Sequence, residues 1–144
     1  MEVFRISKEK HSKKIVSSGA ANRWNYMGQF VVYTSESRSL STLELVVQRK
    51  AIIQGVVYKV MLITVEDKSK LFKEVIAEDL PPNWWDFSKY SKLQKIGSSW
   101  YENQDSLVLS VPSAIIPQER NYIINTRHPE FERCVKLLRI EGTN

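Results

Sequence analysis

Apolar and polar positions along the chain change period several times, and each change marks an element. Val3 to Ser7 reads as a short strand. Residues 8–28 are polar, carry Ser17-Ser18-Gly19 and Gly28, and read as a long loop of a length that tends to be functional in a compact domain. Phe30-Val31-Val32-Tyr33-Thr34 is β-branched and aromatic and predicts a buried strand. The serines that follow, Ser35, Ser37, Ser39 and Ser41, offer helix N-caps. A helix from about Leu40 to Gln48 would place Leu40, Leu43 and Val47 on one face, with Glu44 about 70° from the centre of that stripe.

Further along, Val56 to Glu66 has the length and residue types of a strand, and Leu71 to Ile76 is a candidate to pair with it. Asp79-Leu80-Pro81-Pro82 breaks regular structure. A helix is expected across Ile96 to Tyr101, and a strand over Leu107 to Val111, ended by Pro112. Asn121 to Asn125 reads as a short extended piece, and Phe131 to Ile140 fits either a helix or a last strand. Strands and helices alternate irregularly, which predicts an α+β domain and not a doubly wound sheet. No repeat or linker divides the chain, so residues 1–144 are read as one domain.

Composition narrows the functional classes. A 42% hydrophobic and 26% charged chain is an ordinary globular one. The longest apolar run, Gly55 to Val65, contains Lys59 and is too short to span a bilayer, and the lysine-rich first sixteen residues lack a signal core. The lone Cys134 reads as a core residue and leaves no disulfide or thiolate cluster, so a cytoplasmic setting without membrane contact is expected. The net charge of +5 is compatible with a nucleic-acid-binding module, an anionic ligand or an acidic partner, because the basic residues scatter after Lys8, Lys10, Lys13 and Lys14. His11 and His128 share no metal-ligand spacing, so no metal is expected. No glycine-rich phosphate loop and no nucleophile elbow appears.

The chemistry-bearing residues concentrate in linked blocks. RWNxxGxxVVYTSES begins at Arg23, and an LE pair ends at Glu44, seven residues beyond Ser37. Leu80-Pro81 with Trp84, then Ile96-Gly97 with Trp100, lead to VPSAIIPxExNYIINxxHPxF, which begins at Val111. In order and spacing these blocks resemble the RES domain over nearly the whole chain. Two loop positions depart from its usual pattern: Ala21-Asn22 stand where glycines are usual, and Thr126 where proline is frequent. They bear on loop geometry and not on a proposed catalytic side chain.

The resemblance implies a fold similar to ADP-ribosyltransferase toxins, and a toxin that depletes NAD while restrained by an Xre-type antitoxin. It implies Glu44, Arg23 and Tyr33 as catalytic residues, with Arg5, Arg23, Tyr33 and Ser113 binding substrate. NAD would be the substrate, with no cofactor required and phosphate or water as acceptor. Contact with nucleic acid would come through the antitoxin, and a homodimer within that complex stays open. The same site would serve a protein ADP-ribosyltransferase, because the acceptor is chosen outside the cleavage site.

The chemistry fits one carboxylate. Breaking the nicotinamide–ribose bond passes through an oxocarbenium-like state, as in glycoside hydrolysis. Nicotinamide leaves neutral from a cationic precursor, so no general acid is needed, and Glu44 suffices to stabilise the sugar cation or to align the nucleophile. Arg23 offers a planar fork for a diphosphate, Tyr33 an aromatic face for the cationic ring, and Ser113 a hydroxyl for a ribose or phosphate oxygen. The four tryptophans are read as packing.

Overall fold

A computed structural model describes residues 1–49 and 55–142. Its elements in chain order are β1 (Glu2–Lys8), β2 (Val31–Ser35), α1 (Arg38–Arg49), β3 (Tyr58–Val65), β4 (Phe72–Glu74), α2 (Tyr90–Asn103), β5 (Val108–Pro112), β6 (Arg120–Asn125), α3 (Phe131–Cys134) and β7 (Val135–Gly142). The seven strands form one mixed sheet in the order β4-β5-β6-β2-β1-β3-β7, with only β4 and β5 parallel. The α+β expectation holds. Lys8 closes β1, and residues 9–28 are loop apart from a single 3₁₀ turn at Glu9–His11 and a bridge between Asn22 and Asn25.

Alternation along the strands builds two large buried clusters and a small one of Phe4, Val60 and Leu62. Val3, Val32, Met61, Ile63, Val108 and Ile124 face one side, closed by Leu71, Cys134 and Val135. Val31, Leu109, Val111 and Ile123 face the other, under Leu93 and Trp100 of α2 and beside Trp24 and Trp84. Three tryptophans are thus packing, whereas Trp85 is half exposed. Cys134 is buried, and its thiol donates to the Glu66 carboxylate at 3.0 Å. That hydrogen bond, with burial, pushes the thiol up to about 11 and leaves it a poor nucleophile.

Two expectations are corrected, and a third, left open between helix and strand, is resolved. β4 does not pair with β3, because both edges of β3 are filled, by β1 and β7, and β4 lies against β5 instead. The apolar stripe of α1 is not its buried face: Leu40 is fully buried, but Leu43 and Val47 are 40% and 57% exposed. The helix is turned so that Ser41 and Glu44 follow Leu40 towards the sheet. The segment from Phe131 is both helix and strand, a single turn followed by β7.

The edge strand β7 is tied to the start of α1 by a bidentate pair, Arg38 Nε and Nη2 donating to the two Glu141 oxygens at 2.8 and 2.9 Å. Arg139 Nε donates to the same carboxylate at 2.8 Å. The Arg38 hydrogen bond foremost, then that of Arg139, holds the Glu141 carboxyl down at about 2. A depressed carboxyl contributes stability above its unfolded value and loses it as pH falls through the folded one. The gap in denaturation midpoint between wild type and Glu141→Gln should therefore be constant above pH 4.5 and close between there and about pH 2.

Candidate active site

β1 and β2 are neighbours in the sheet but share a single register pair, Phe4 with Ser35, beyond which they part. Arg5 sits in that gap, its Nη1 donating to the Tyr33 carbonyl at 3.1 Å where a ladder bond is missing. The opening is the mouth of a cleft of about 220 Å³ lined by Arg5, Tyr33, Ser35, Ser41, Glu44 and Asn121, among others, with loop residues 17–22 across it.

Glu44 reaches the cleft through local sequence chemistry. The Ser37 hydroxyl accepts from the Leu40 amide at 3.0 Å and starts α1 directly after β2. Three-and-four spacing from Ser37 then brings Leu40, Ser41 and Glu44 to the sheet side. The Glu44 oxygen Oε1 accepts from Ser113 Oγ and from Asn121 Nδ2, both at 2.8 Å. Among the described residues Oε2 takes no hydrogen bond, and Glu44 lines both the main cleft and a smaller pocket beside it.

Ser113 is fully buried at the end of β5. Its oxygen accepts from the amides of Ile115 and Ile116, both at 3.1 Å. A hydroxyl has one proton and two lone pairs, so its proton must go to Glu44 and nothing is left for a ligand. The expected contact with a ribose or phosphate oxygen gives way to another task, fixing the carboxylate.

Tyr33 lines both pockets with its ring while its hydroxyl is tied down. That hydroxyl donates to Asn25 Oδ1 at 2.6 Å and accepts from the Trp24 amide at 3.0 Å. Burial pushes the phenol well above its usual value, against the lowering pull of the Trp24 amide, so it stays protonated and offers an aromatic face, not a base. Asn25 is the hub of the loop: its Nδ2 donates to the carbonyls of Ala20, Tyr26 and Gln29. Gly19 has φ +76°, and a Cβ there would stand 2.9 Å from Phe30, so glycine is required.

Arg23 projects from this braced loop into the smaller pocket, which Glu44 and Tyr33 share. Its Nη1 donates to the Trp85 carbonyl at 3.0 Å, and its guanidinium lies 4.6 Å from the centre of the Tyr90 ring. The structure thus brings Arg5, Tyr33 and Glu44 together in the main cleft and Arg23, Tyr33 and Glu44 in the smaller pocket, with Ser113 buried behind the carboxylate. It adds Asn121 and Ser35, which the sequence reading did not assign. Asn121 belongs to the NYIIN block, so the motif marked its neighbourhood without marking its role.

The RES domain family model matches residues 2–142. The chain is 32% identical over 113 residues to Toxin Res of Yersinia enterocolitica, covering 78% of this chain and 73% of that protein. It is 34% identical over 111 residues to the Prs ADP-ribosylating toxin of a Sphingobium species, covering 75% and 68%. Toxin Res of Photorhabdus laumondii matches over 96% of this chain and 90% of its own length, at 27% identity. The chain belongs to the RES domain family. Its fold is shared with the crystal structure of the M. tuberculosis MbcT–MbcA toxin–antitoxin complex, at a TM-score of 0.70 and 14% identity over 99% of this chain and 81% of that one.

Proposed function

We propose that this chain is the toxin of a toxin–antitoxin pair and that it cleaves NAD at the nicotinamide–ribose bond. The observation that carries this reading is the Glu44 carboxylate, one oxygen held at 2.8 Å by two neutral donors and the other left open beside Arg23 and Tyr33. Neutral donors fix a carboxylate without setting an opposing charge beside it, which suits the stabilisation of an oxocarbenium-like ribose. In the step, the C1′–N bond breaks with its electron pair going to nicotinamide. The oxygen of water or phosphate bonds C1′, and the proton it sheds passes to solvent. Arg23 would grip the diphosphate and Tyr33 would face the departing ring.

The cleft of about 220 Å³ falls below the 300–1,000 Å³ usual for drug-sized ligands. Such a cleft would take one end of a dinucleotide, with the rest extending towards the smaller pocket that Arg23 lines. Among the described residues no helix is long and apolar enough to cross a membrane. A toxin of this kind needs restraint. An antitoxin partner fits the toxin–antitoxin complex of the structural neighbour, and the net charge of +5 would speed capture by an acidic one.

Incubating the purified chain with NAD, with and without phosphate, and measuring free nicotinamide tests the reading. Release of nicotinamide is expected, with ADP-ribose or its phosphate ester as the other product, and intact dinucleotide over folded protein would refute it. A second reading has one specific support, the Sphingobium relative named as an ADP-ribosylating toxin. In that case nicotinamide release depends on an added protein acceptor, and label from the adenylate half of NAD enters that protein.

A further inference from the structure

The motif blocks give Glu44 its position in the sequence, but they do not say what aims it. Glutamate is long, and fixing such a side chain costs rotamer freedom. One donor from Ser113 restrains one side of the carboxylate only. The second restraint comes from the sheet. Asn121 on β6 stands directly opposite Ser35 on β2 in the antiparallel register. Ser35, which is buried, donates its hydroxyl proton to Asn121 Oδ1 at 2.8 Å. The two bonds hold the amide together: the carboxylate, which only accepts, takes Nδ2 at 2.8 Å, and Ser35 anchors Oδ1 at the other end. A flipped amide would set oxygen against the acceptor-only carboxylate and lose that bond, while the Ser35 hydroxyl would have to turn from donor to acceptor.

We propose that Asn121, anchored by Ser35, is a positioning residue that turns the open oxygen of Glu44 onto the ribose of the dinucleotide. The proposal rests on the reading of Glu44 as the group that acts on substrate. The choice of residue follows from charge. An amide donates without carrying charge, so it fixes the carboxylate while leaving its field intact. A lysine or arginine in this place would hold the carboxylate as firmly but cancel the charge that stabilises the sugar cation. Asn121 also lines both pockets, so a change there alters the site where substrate lies without opening a cavity in the core.

The test combines kinetics with structure. Asn121→Ala should lower kcat for nicotinamide release on the order of 10²-fold, the scale of an approximately 1 Å misplacement, while KM stays within about threefold. Ser35→Ala should give a smaller loss of kcat, roughly tenfold or less, because the amide keeps its bond to Glu44 but loses the anchor on its oxygen. In Asn121→Asp the donor becomes a second carboxylate beside Glu44. Its acid limb should shift to higher pH, since two such groups hold a proton between them. A residue that only supports the fold would lower the melting temperature and leave the pH profile and the ratio of kcat to KM where they were, and that result overturns the proposal. Crystal structures of wild type and Asn121→Ala separate the two layers. If the carboxylate leaves its place in the variant while even wild type spares NAD, positioning stands and the proposed reaction fails. If the carboxylate stays put, positioning fails whatever the activity. Should Asn121→Ala not fold, Ser35→Ala and Asn121→Asp carry the same comparison.

Discussion

Glu44→Gln should reduce nicotinamide release by at least about a hundredfold, the scale of removing a principal electrostatic stabiliser, without unfolding the protein. The substitution is nearly isosteric, and a glutamine carbonyl oxygen can still accept the two 2.8 Å bonds from Ser113 and Asn121. What it removes is the charge, together with the open Oε2. The loss should fall on kcat, because the charge matters most once the ribose becomes cationic. Initial rates together with thermal melts check this: a variant with normal melting and normal rates would show that the carboxylate is not the group that counts. Ser113→Ala, by contrast, removes a bond to Glu44 and also strands two backbone amides, so both rate and stability should suffer.

The largest effect on stability is expected from Gly97→Ala. Gly97 lies in α2 against the backbone of Trp24, and a Cβ there would overlap the Trp24 carbonyl oxygen. Backbone cannot rotate out of the way as a side chain can, so α2 and the loop must separate. The same interface holds the Gln94 amide against the carbonyls of Asn22 and Asn25 at 2.9 and 3.2 Å. Trp24 and Trp100 pack in one core beneath it. Overpacking of this kind costs typically 1–3 kcal/mol and occasionally more, and an unyielding backbone contact belongs at the upper end. A fall in melting temperature of about 10 °C is expected for a domain of this size, with weakened activity because Arg23 hangs on that loop. Gly28→Ala is the control. A Cβ there meets nothing within 4 Å, and only φ +88° resists it, at about 1–2 kcal/mol. Equal melting of the two variants would contradict the packing argument.

Local pattern made part of the fold legible, and long-range pairing hid the rest. The strands around Val3, Val32 and Val60 could be read because β-branched runs bounded by polar segments have few other uses. The partner of β4 could not, because nothing in three residues announces that both edges of β3 are taken. The exposed Leu43 and Val47 show the same limit from the other side. Hydrophobic spacing finds the face of a helix that packs on apolar neighbours, but α1 turns its Ser41 and Glu44 side to the sheet because a polar site lies there.

The candidate site divides in a similar way. Arg23, Tyr33 and Glu44 were legible through the linked blocks, since their spacing is fixed by one loop, one strand and one helix in succession. The role of Asn121 was not. It depends on a contact 77 residues away in the sequence, and an asparagine in a strand has no spacing that marks it as a donor to a helix. Ser113 was legible as a position and not as a role, because only the turn at Ile115 and Ile116 reveals that its lone pairs are already used.

A single acidic group is enough here only if the departing ring brings its own positive charge. Oxidised and reduced dinucleotide, offered side by side to the same purified protein, separate that condition from all others, since the two share ribose, diphosphate and adenine while the dihydronicotinamide is neutral. Nicotinamide should appear from NAD, and NADH should remain intact over the same period. Cleavage of both at similar rates, or of neither, would contradict the account.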